Sequence, residues 1–181
     1  MNNINLPYTI ENISQQWNIL NNSTIPMENQ FANEYLSNFI NSQNAYNICI
    51  ELYKTNSEQE KKFSLFMLYQ ITSKNVSNLI DDKNLFKLYK NNLFEILSTL
   101  NENSENIMIE KICNSISILI LIGLVRYWPE SIEDILNFGK RNNFNTYLTV
   151  TILSDLENEL NNLKIEGKLT FKMRNILIEK K

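Results

Sequence analysis

The chain contains no histidine and has few glycines, prolines and cysteines. Without histidine it cannot form Ser-His-Asp or Cys-His catalytic pairs, a histidine general base or a histidine-ligated metal site. Three glycines and three prolines among 181 residues are too few for an all-β fold, whereas long helices with short connections tolerate that scarcity. The two cysteines, Cys49 and Cys113, lie in separate apolar stretches, where a thiol behaves as a small hydrophobe. These features predict a helical protein without structural zinc, with a disulfide as the minor alternative to two free thiols.

Charge and hydropathy argue against nucleic acids and membranes as partners. The net charge is −3, and no stripe of basic residues alternates with aromatic ones, so direct nucleic-acid binding is disfavoured. The first seven residues are polar and lack the apolar centre of a signal peptide. The most apolar run, Ile116 to Val125, is about half of the roughly 20 residues that cross a bilayer. We therefore predict a buried helix there and no membrane partner.

Apolar residues recur at three- and four-residue spacing along almost the whole chain, which predicts helices. Helix pairs are predicted to begin near residues 9, 43, 84, 129 and 167, a spacing of about forty residues that is typical of HEAT repeats. The expected fold is all-α: a HEAT/ARM-like solenoid of about four helix pairs plus a partial fifth, over one domain of residues 1–181. A closed helical bundle has the same periodicity. Because the last pair lacks its second helix, we expect a longer solenoid of which this is the N-terminal portion.

The segment from Ala32 to Ile48 carries the most specific pattern in the chain. It combines an amphipathic helix, a break and the start of a second helix, with aromatic or aliphatic residues at Tyr35-Leu36, Phe39-Ile40 and Ala45-Tyr46. This pattern resembles the junction between the first two HEAT repeats of importin-β-type nuclear transport receptors, especially the transportin-3/importin-13 branch. Two weaker similarities to that branch are the stretch from Ile152 to Leu160 and the apolar helix that runs into Trp128.

The resemblance implies a function without enzymatic activity or a cofactor. Receptors of this family shuttle between nucleus and cytoplasm, carry protein cargo and contact nuclear pore proteins. Their N-terminal repeats bind the GTPase Ran in its GTP form, which releases or loads cargo by favouring one solenoid curvature. The alternative is another α-solenoid adaptor or scaffold, such as a vesicle-coat subunit.

Candidate Ran-binding residues lie on the second helices of the predicted pairs. Family members often carry Ala-x-x-x-Leu-Lys-Asn on the second such helix, where this chain has Ser64 to Gln70, reading SLFMLYQ. Ser64 and Leu68 match the first two places. Leu65 and Leu68 lie beside the buried stripe, where they form either an exposed apolar patch that binds the partner or a contact with adjacent repeats. The remaining candidates, selected by helix face alone, are Glu34, Glu110 and Asn114.

Three carboxylates near the end of the chain are the candidates for a catalytic site. Helical spacing places Asp155 and Glu159 on one face, with Glu157 nearby, and paired carboxylates can serve as general acid and base. No nucleophile or other polar residue type gathers around them in the sequence. We therefore expect ordinary surface carboxylates and no enzyme.

Overall fold

The computed structural model describes residues 6–55 and 57–165, and every regular element in those ranges is an α-helix. The all-α prediction is therefore confirmed. Contacts divide the chain into two compact units, with the boundary between Ile71 and Thr72. The helices of the described ranges are α1 (Ile10–Asn22), α2 (Pro26–Phe39), α3 (Ala45–Tyr53), α4 (Glu58–Lys74), α5 (Val76–Asp81), α6 (Lys83–Thr99), α7 (Asn106–Val125), α8 (Ser131–Gly139) and α9 (Asn143–Ile165).

Local capping fixes where several of these helices begin. The Thr9 hydroxyl accepts a hydrogen bond from a first-turn N–H of α1 at 3.2 Å. The Asp82 carboxylate accepts two such bonds at the start of α6, at 2.8 and 3.0 Å. Pro26 is the first residue of α2, where its missing N–H costs nothing. At α4, Ser57 Oγ accepts from the Glu60 N–H at 3.3 Å, as the S-x-x-E spacing predicts.

Helix α1 holds the first unit together. It packs against α2 and α3, and its Trp17 ring stacks on Phe63 of α4 with centroids 4.5 Å apart. The Ser14 hydroxyl donates to Glu60 Oε1 at 2.6 Å. The Glu60 carboxylate therefore ties α4 to α1.

The segment before α1 is fastened to α2. The Tyr35 hydroxyl donates to the Pro7 carbonyl at 2.9 Å, and the Tyr8 ring lies 5.1 Å from the Tyr35 ring and 5.5 Å from the Phe39 ring. Burial, and secondarily the neighbouring Tyr8, raises the pKa of Tyr35 to about 12. Tyr35, one of the aromatic residues of the predicted repeat junction, thus packs the segment before α1 against α2.

Helix α7 forms the core of the second unit. It packs against α5, α6, α8 and most extensively α9, and its residues from Ile116 to Ile122 are all buried. The predicted buried helix is therefore confirmed. By length and composition, Asn106–Leu124 is the one helix among the described residues that could cross a membrane, and 72% of it is buried inside the protein.

Helix α7 ends where the chain turns back and Trp128 lies against Gly123. The N–H groups of Arg126, Tyr127 and Trp128 all donate to the Gly123 carbonyl, at 3.1, 3.1 and 2.8 Å. A methyl group at Gly123 would lie 2.8 Å from Trp128 Cβ and 3.1 Å from Phe86 Cζ, inside normal contact distance. Glycine at this position lets the chain fold back and bury the indole.

The predicted helix pairs match the observed helices closely. The first helices of four pairs begin at residues 10, 45, 83 and 131, against predicted starts near 9, 43, 84 and 129. The apolar spacing does not predict helix α5: it indicates that α4 continues toward Val76 and that the next helix begins near Asp81-Asp82. The predicted partial fifth pair, 167–181, lies outside the described residues, and the superhelical arrangement and the single domain stay predictions.

Three large apolar residues within the helical spacing are exposed. Phe31, Phe66 and Leu88 expose 46%, 40% and 44% of their surface. The apolar spacing of α2 predicts that Phe31 is buried, and that prediction is wrong. That spacing identifies a helix, but the neighbouring helices determine which of two adjacent stripes is buried.

Candidate functional site

The three candidates on α4 do not form a binding surface. Ser64, Leu65 and Leu68 expose 0%, 1% and 0% of their surface, so the predicted exposed patch is wrong. The Ser64 hydroxyl donates to the Cys49 carbonyl of α3 at 2.6 Å and thereby joins two helices. Leu65, Leu68 and Thr72 recur at three- and four-residue spacing and form a second buried stripe beside Phe63, Met67 and Ile71.

Glu34 lies on the opposite side of α2 from the core. The helix buries Ala32, Tyr35, Leu36 and Phe39. Met27 and Phe31 lie on the same side of the helix as Glu34, because the three residues follow each other at four- and three-residue spacing. Met27 is 74% exposed. We call this surface the outer face of α2. Exposed apolar side chains next to a carboxylate are groups that a protein partner can bury and pair.

Glu110 and Asn114 lie on α7, one turn apart, beside α9. The Lys111 ammonium contacts Glu110 Oε1 at 2.6 Å. With its amide oriented to satisfy both neighbours, Asn114 donates to Asp155 Oδ2 at 2.7 Å and to the Glu110 carbonyl at 3.1 Å. Asn114 therefore contacts α9 through Asp155, whereas the Glu110 side chain pairs with Lys111 on its own helix. Glu110 is exposed and Asn114 is half-buried.

The environment of this interface shifts the pKa values of two groups. Burial, and then the negative charge of Glu110, raises the pKa of Asp155 above its ordinary value, while Lys111 opposes the shift. Burial, and then Asp155, raises the pKa of the Cys113 thiol to about 12. Cys49 is buried as well, which also raises its thiol pKa. Both cysteines are free, and protonated buried thiols are poor nucleophiles.

The prediction of ordinary surface carboxylates on α9 is wrong for Glu159. Glu159 is buried, Asp155 is half-buried and Glu157 is exposed. No group of three or more Cys, Asp or Glu residues that could hold a metal ion occurs within the described ranges. The geometry places Asp155 in a hydrogen-bonded helix interface, which gives a structural reason for its position.

Asp155→Asn is expected to stabilise the protein at pH 7. A carboxyl group whose pKa is raised by folding contributes stability that is present below its unfolded pKa and is lost as the pH rises through its folded pKa. The asparagine removes a charge from a partly buried place and retains an oxygen that can accept from Asn114. Urea unfolding should show a larger gain at pH 7 than at pH 3.

The matched control for this experiment is Glu157→Gln, an exposed position on the same helix. Its stability relative to the wild type should change little between the two pH values. An Asp155→Asn variant that is equally or less stable than the wild type at pH 7 would contradict the assigned environment.

Comparison with known proteins adds no relative. No protein-family model matches the sequence, and no curated protein or solved structure is similar to it. The resemblance to nuclear transport receptors therefore stays a prediction that rests on the residues quoted for it.

The sequence selects Glu34 as a candidate by helix face but does not select its exposed apolar neighbours. The apolar spacing of α2 predicts that Phe31 is buried, and Met27 precedes the residues of that predicted buried set. Their four- and three-residue spacing with Glu34 places all three residues on one face of α2. That face can be recognised as exposed only after Ala32, Leu36 and Phe39 are known to form the buried face.

Proposed function

We propose that this chain is a non-enzymatic protein-binding module, the N-terminal part of an importin-β-type nuclear transport receptor resembling transportin-3 and importin-13. The proposal rests on the Ala32–Ile48 pattern in the sequence together with the recurrence of helix pairs, whose first helices begin at residues 10, 45, 83 and 131. In the second unit, α7 packs mainly on α9. These are the second helices of consecutive pairs, which is the packing that stacked HEAT repeats use.

The partner in this proposal is Ran in its GTP form, bound in part through the outer face of α2. This face combines the predicted contact Glu34 with exposed Met27 and Phe31. An apolar centre beside a charged group suits a protein interface, because the apolar area supplies affinity and the charge supplies orientation. Cargo and nuclear pore contacts belong to the longer receptor that the proposal implies.

A binding titration tests the proposal directly. The chain should bind Ran loaded with a GTP analogue at least about ten-fold more tightly than Ran loaded with GDP, a difference of about 1.4 kcal/mol. Glu34→Lys should weaken binding to the GTP form by about three- to ten-fold, because it reverses a charge at the interface.

The matched control is Glu51→Lys, which reverses an exposed charge on α3 and should leave the affinity unchanged. Equal affinity for the two nucleotide states of Ran would overturn the proposal. Binding that prefers the GTP form but is unaffected by Glu34→Lys would retain Ran as partner and remove the outer face of α2 as its site.

Another α-solenoid adaptor, such as a vesicle-coat subunit, has the same helix pairs and is the runner-up. It predicts no response to the nucleotide state of Ran. The outer face of α2 would then bind a different protein, and Glu34→Lys would have no effect in the Ran titration.

A further inference from the structure

A polar groove in the second unit is separate from the surfaces described so far. Its walls are the connection from α6 to α7 and the connection from α8 to α9, with Leu100, Asn103, Phe138 and Phe144 among the lining residues. Its volume is about 710 Å³, within the range of about 300–1,000 Å³ that is common for ligand sites. The groove is large enough for several residues of an extended peptide.

The two charged residues of this groove, Arg141 and Glu102, make no ion pair with a described residue. The Arg141 guanidinium lies 5.6 Å from the centre of the Phe138 ring, and it makes no ion pair with a described residue. Glu102 lines the same groove and likewise has no ion-pair partner in the part of the chain that the structure describes. Arg141 therefore has its donors available for a planar anion such as a carboxylate.

Asparagine side chains supply hydrogen-bonding groups on both walls. Asn101 Oδ1 accepts from the Asn103 N–H at 2.9 Å, and Asn142 Oδ1 accepts from the Asn145 N–H at 2.7 Å. The acceptor oxygen of Asn101 thus stabilises its own loop, and that of Asn142 caps the start of α9. Their NH₂ groups have no hydrogen-bond partner among the described residues and can donate to a ligand carbonyl.

We propose that this groove binds a short extended peptide segment that carries one acidic side chain. The peptide carboxylate pairs with Arg141, and main-chain carbonyls accept from the NH₂ groups of Asn101 and Asn142. The ring of Phe144 provides an apolar surface beside them. This is a binding site distinct from the Ran contact proposed on the outer face of α2.

The charge arrangement selects this ligand class over two others. Arg141 is the one basic residue among the lining residues, so the groove has a single positive charge, which one carboxylate matches better than the many phosphates of a nucleic acid. A neutral sugar would leave the Arg141 charge unpaired. Asparagine is abundant throughout the chain and alone would carry little weight; the available guanidinium between aromatic and amide groups gives the site its selectivity.

The test uses the full chain labelled with ¹⁵N and the probe acetyl-Ala-Ala-Glu-Ala-Ala-amide, followed by nuclear magnetic resonance. The side-chain amide signals of Asn101 and Asn142 should shift in a saturable manner. Replacing the peptide glutamate with glutamine should weaken binding about ten-fold, because a charge-assisted bidentate contact is lost. Arg141→Gln should cause a similar loss with the glutamate peptide.

Lys140→Gln is the matched control, since it removes the adjacent exposed charge and should leave binding unchanged. Equal binding of the glutamate and glutamine peptides, or an unaffected Arg141→Gln variant, would overturn the proposal. It would also be overturned if sodium acetate bound as tightly as the peptide, or if maltotriose shifted the same signals more strongly. None of these results depends on Ran.

Discussion

Trp128→Ala is expected to destabilise the second unit by about 3–5 kcal/mol, the usual cost of deleting a buried indole. Trp128 is 3% exposed. Its ring lies edge-on to Phe94, with centroids 5.5 Å apart, and beneath the Lys90 ammonium at 3.6 Å. Its indole N–H donates to Asp134 Oδ2 at 2.6 Å. The substitution leaves a cavity and removes a hydrogen bond and a cation–π contact at once.

Trp128→Phe separates these contributions. It retains most of the buried ring and loses the indole hydrogen bond, so a cost of about 1–2 kcal/mol is expected. Circular dichroism in urea measures both variants, and Trp17, which lies in the first unit, remains as a fluorescence probe. A loss below about 1 kcal/mol for Trp128→Ala would contradict the described packing.

The sequence predicts the helix end at Trp128, but it does not predict the side chains that pack against the Trp128 ring. Trp128-Pro129 ends an apolar helix because the residue before proline avoids helical angles. The partners Phe94 and Lys90 come from α6, more than thirty residues earlier. No local pattern predicts that pairing. The need for glycine at position 123 is likewise visible only once the indole folds back onto it.

Most helix boundaries were predictable for the same local reason. Caps at Thr9 and Asp82 and the proline at position 26 act within one turn, so the sequence contains the whole interaction. Helix α5 has only six residues and follows α4 after a single residue. A short helix of this kind has too few positions to show a period of its own.

The candidate site was predicted less well, because exposure depends on neighbours. Glu34 was placed correctly on an exposed side of α2, since a charged residue opposite a core stripe rarely lies inside. The exposed patch predicted at Leu65 and Leu68 is wrong, because it presupposes that α4 buries a single apolar stripe. The helix buries two adjacent stripes, which happens when a helix is covered by several others.

Leu65→Ala and Phe66→Ala are expected to differ sharply although the two residues are adjacent on α4. Leu65 is 1% exposed and Phe66 is 40% exposed. Deleting a fully buried leucine side chain costs about 2–5 kcal/mol. The half-exposed phenylalanine should cost under about 1 kcal/mol, because much of its ring already contacts water. Urea unfolding in a Trp128→Phe background measures both, because Trp17 is then the one tryptophan and its fluorescence reports on the first unit.

This pair also distinguishes a structural role from a binding role for α4. If Leu65 only packs the interior, Leu65→Ala lowers stability and leaves the affinity for the proposed partner, Ran-GTP, unchanged at temperatures where the variant is folded. Phe66→Ala serves as the matched control, because it removes an exposed apolar group from the same helix. A larger stability loss from Phe66→Ala than from Leu65→Ala would reverse the assignment of the two faces. It would return Leu65 to the set of exposed residues that a partner can contact.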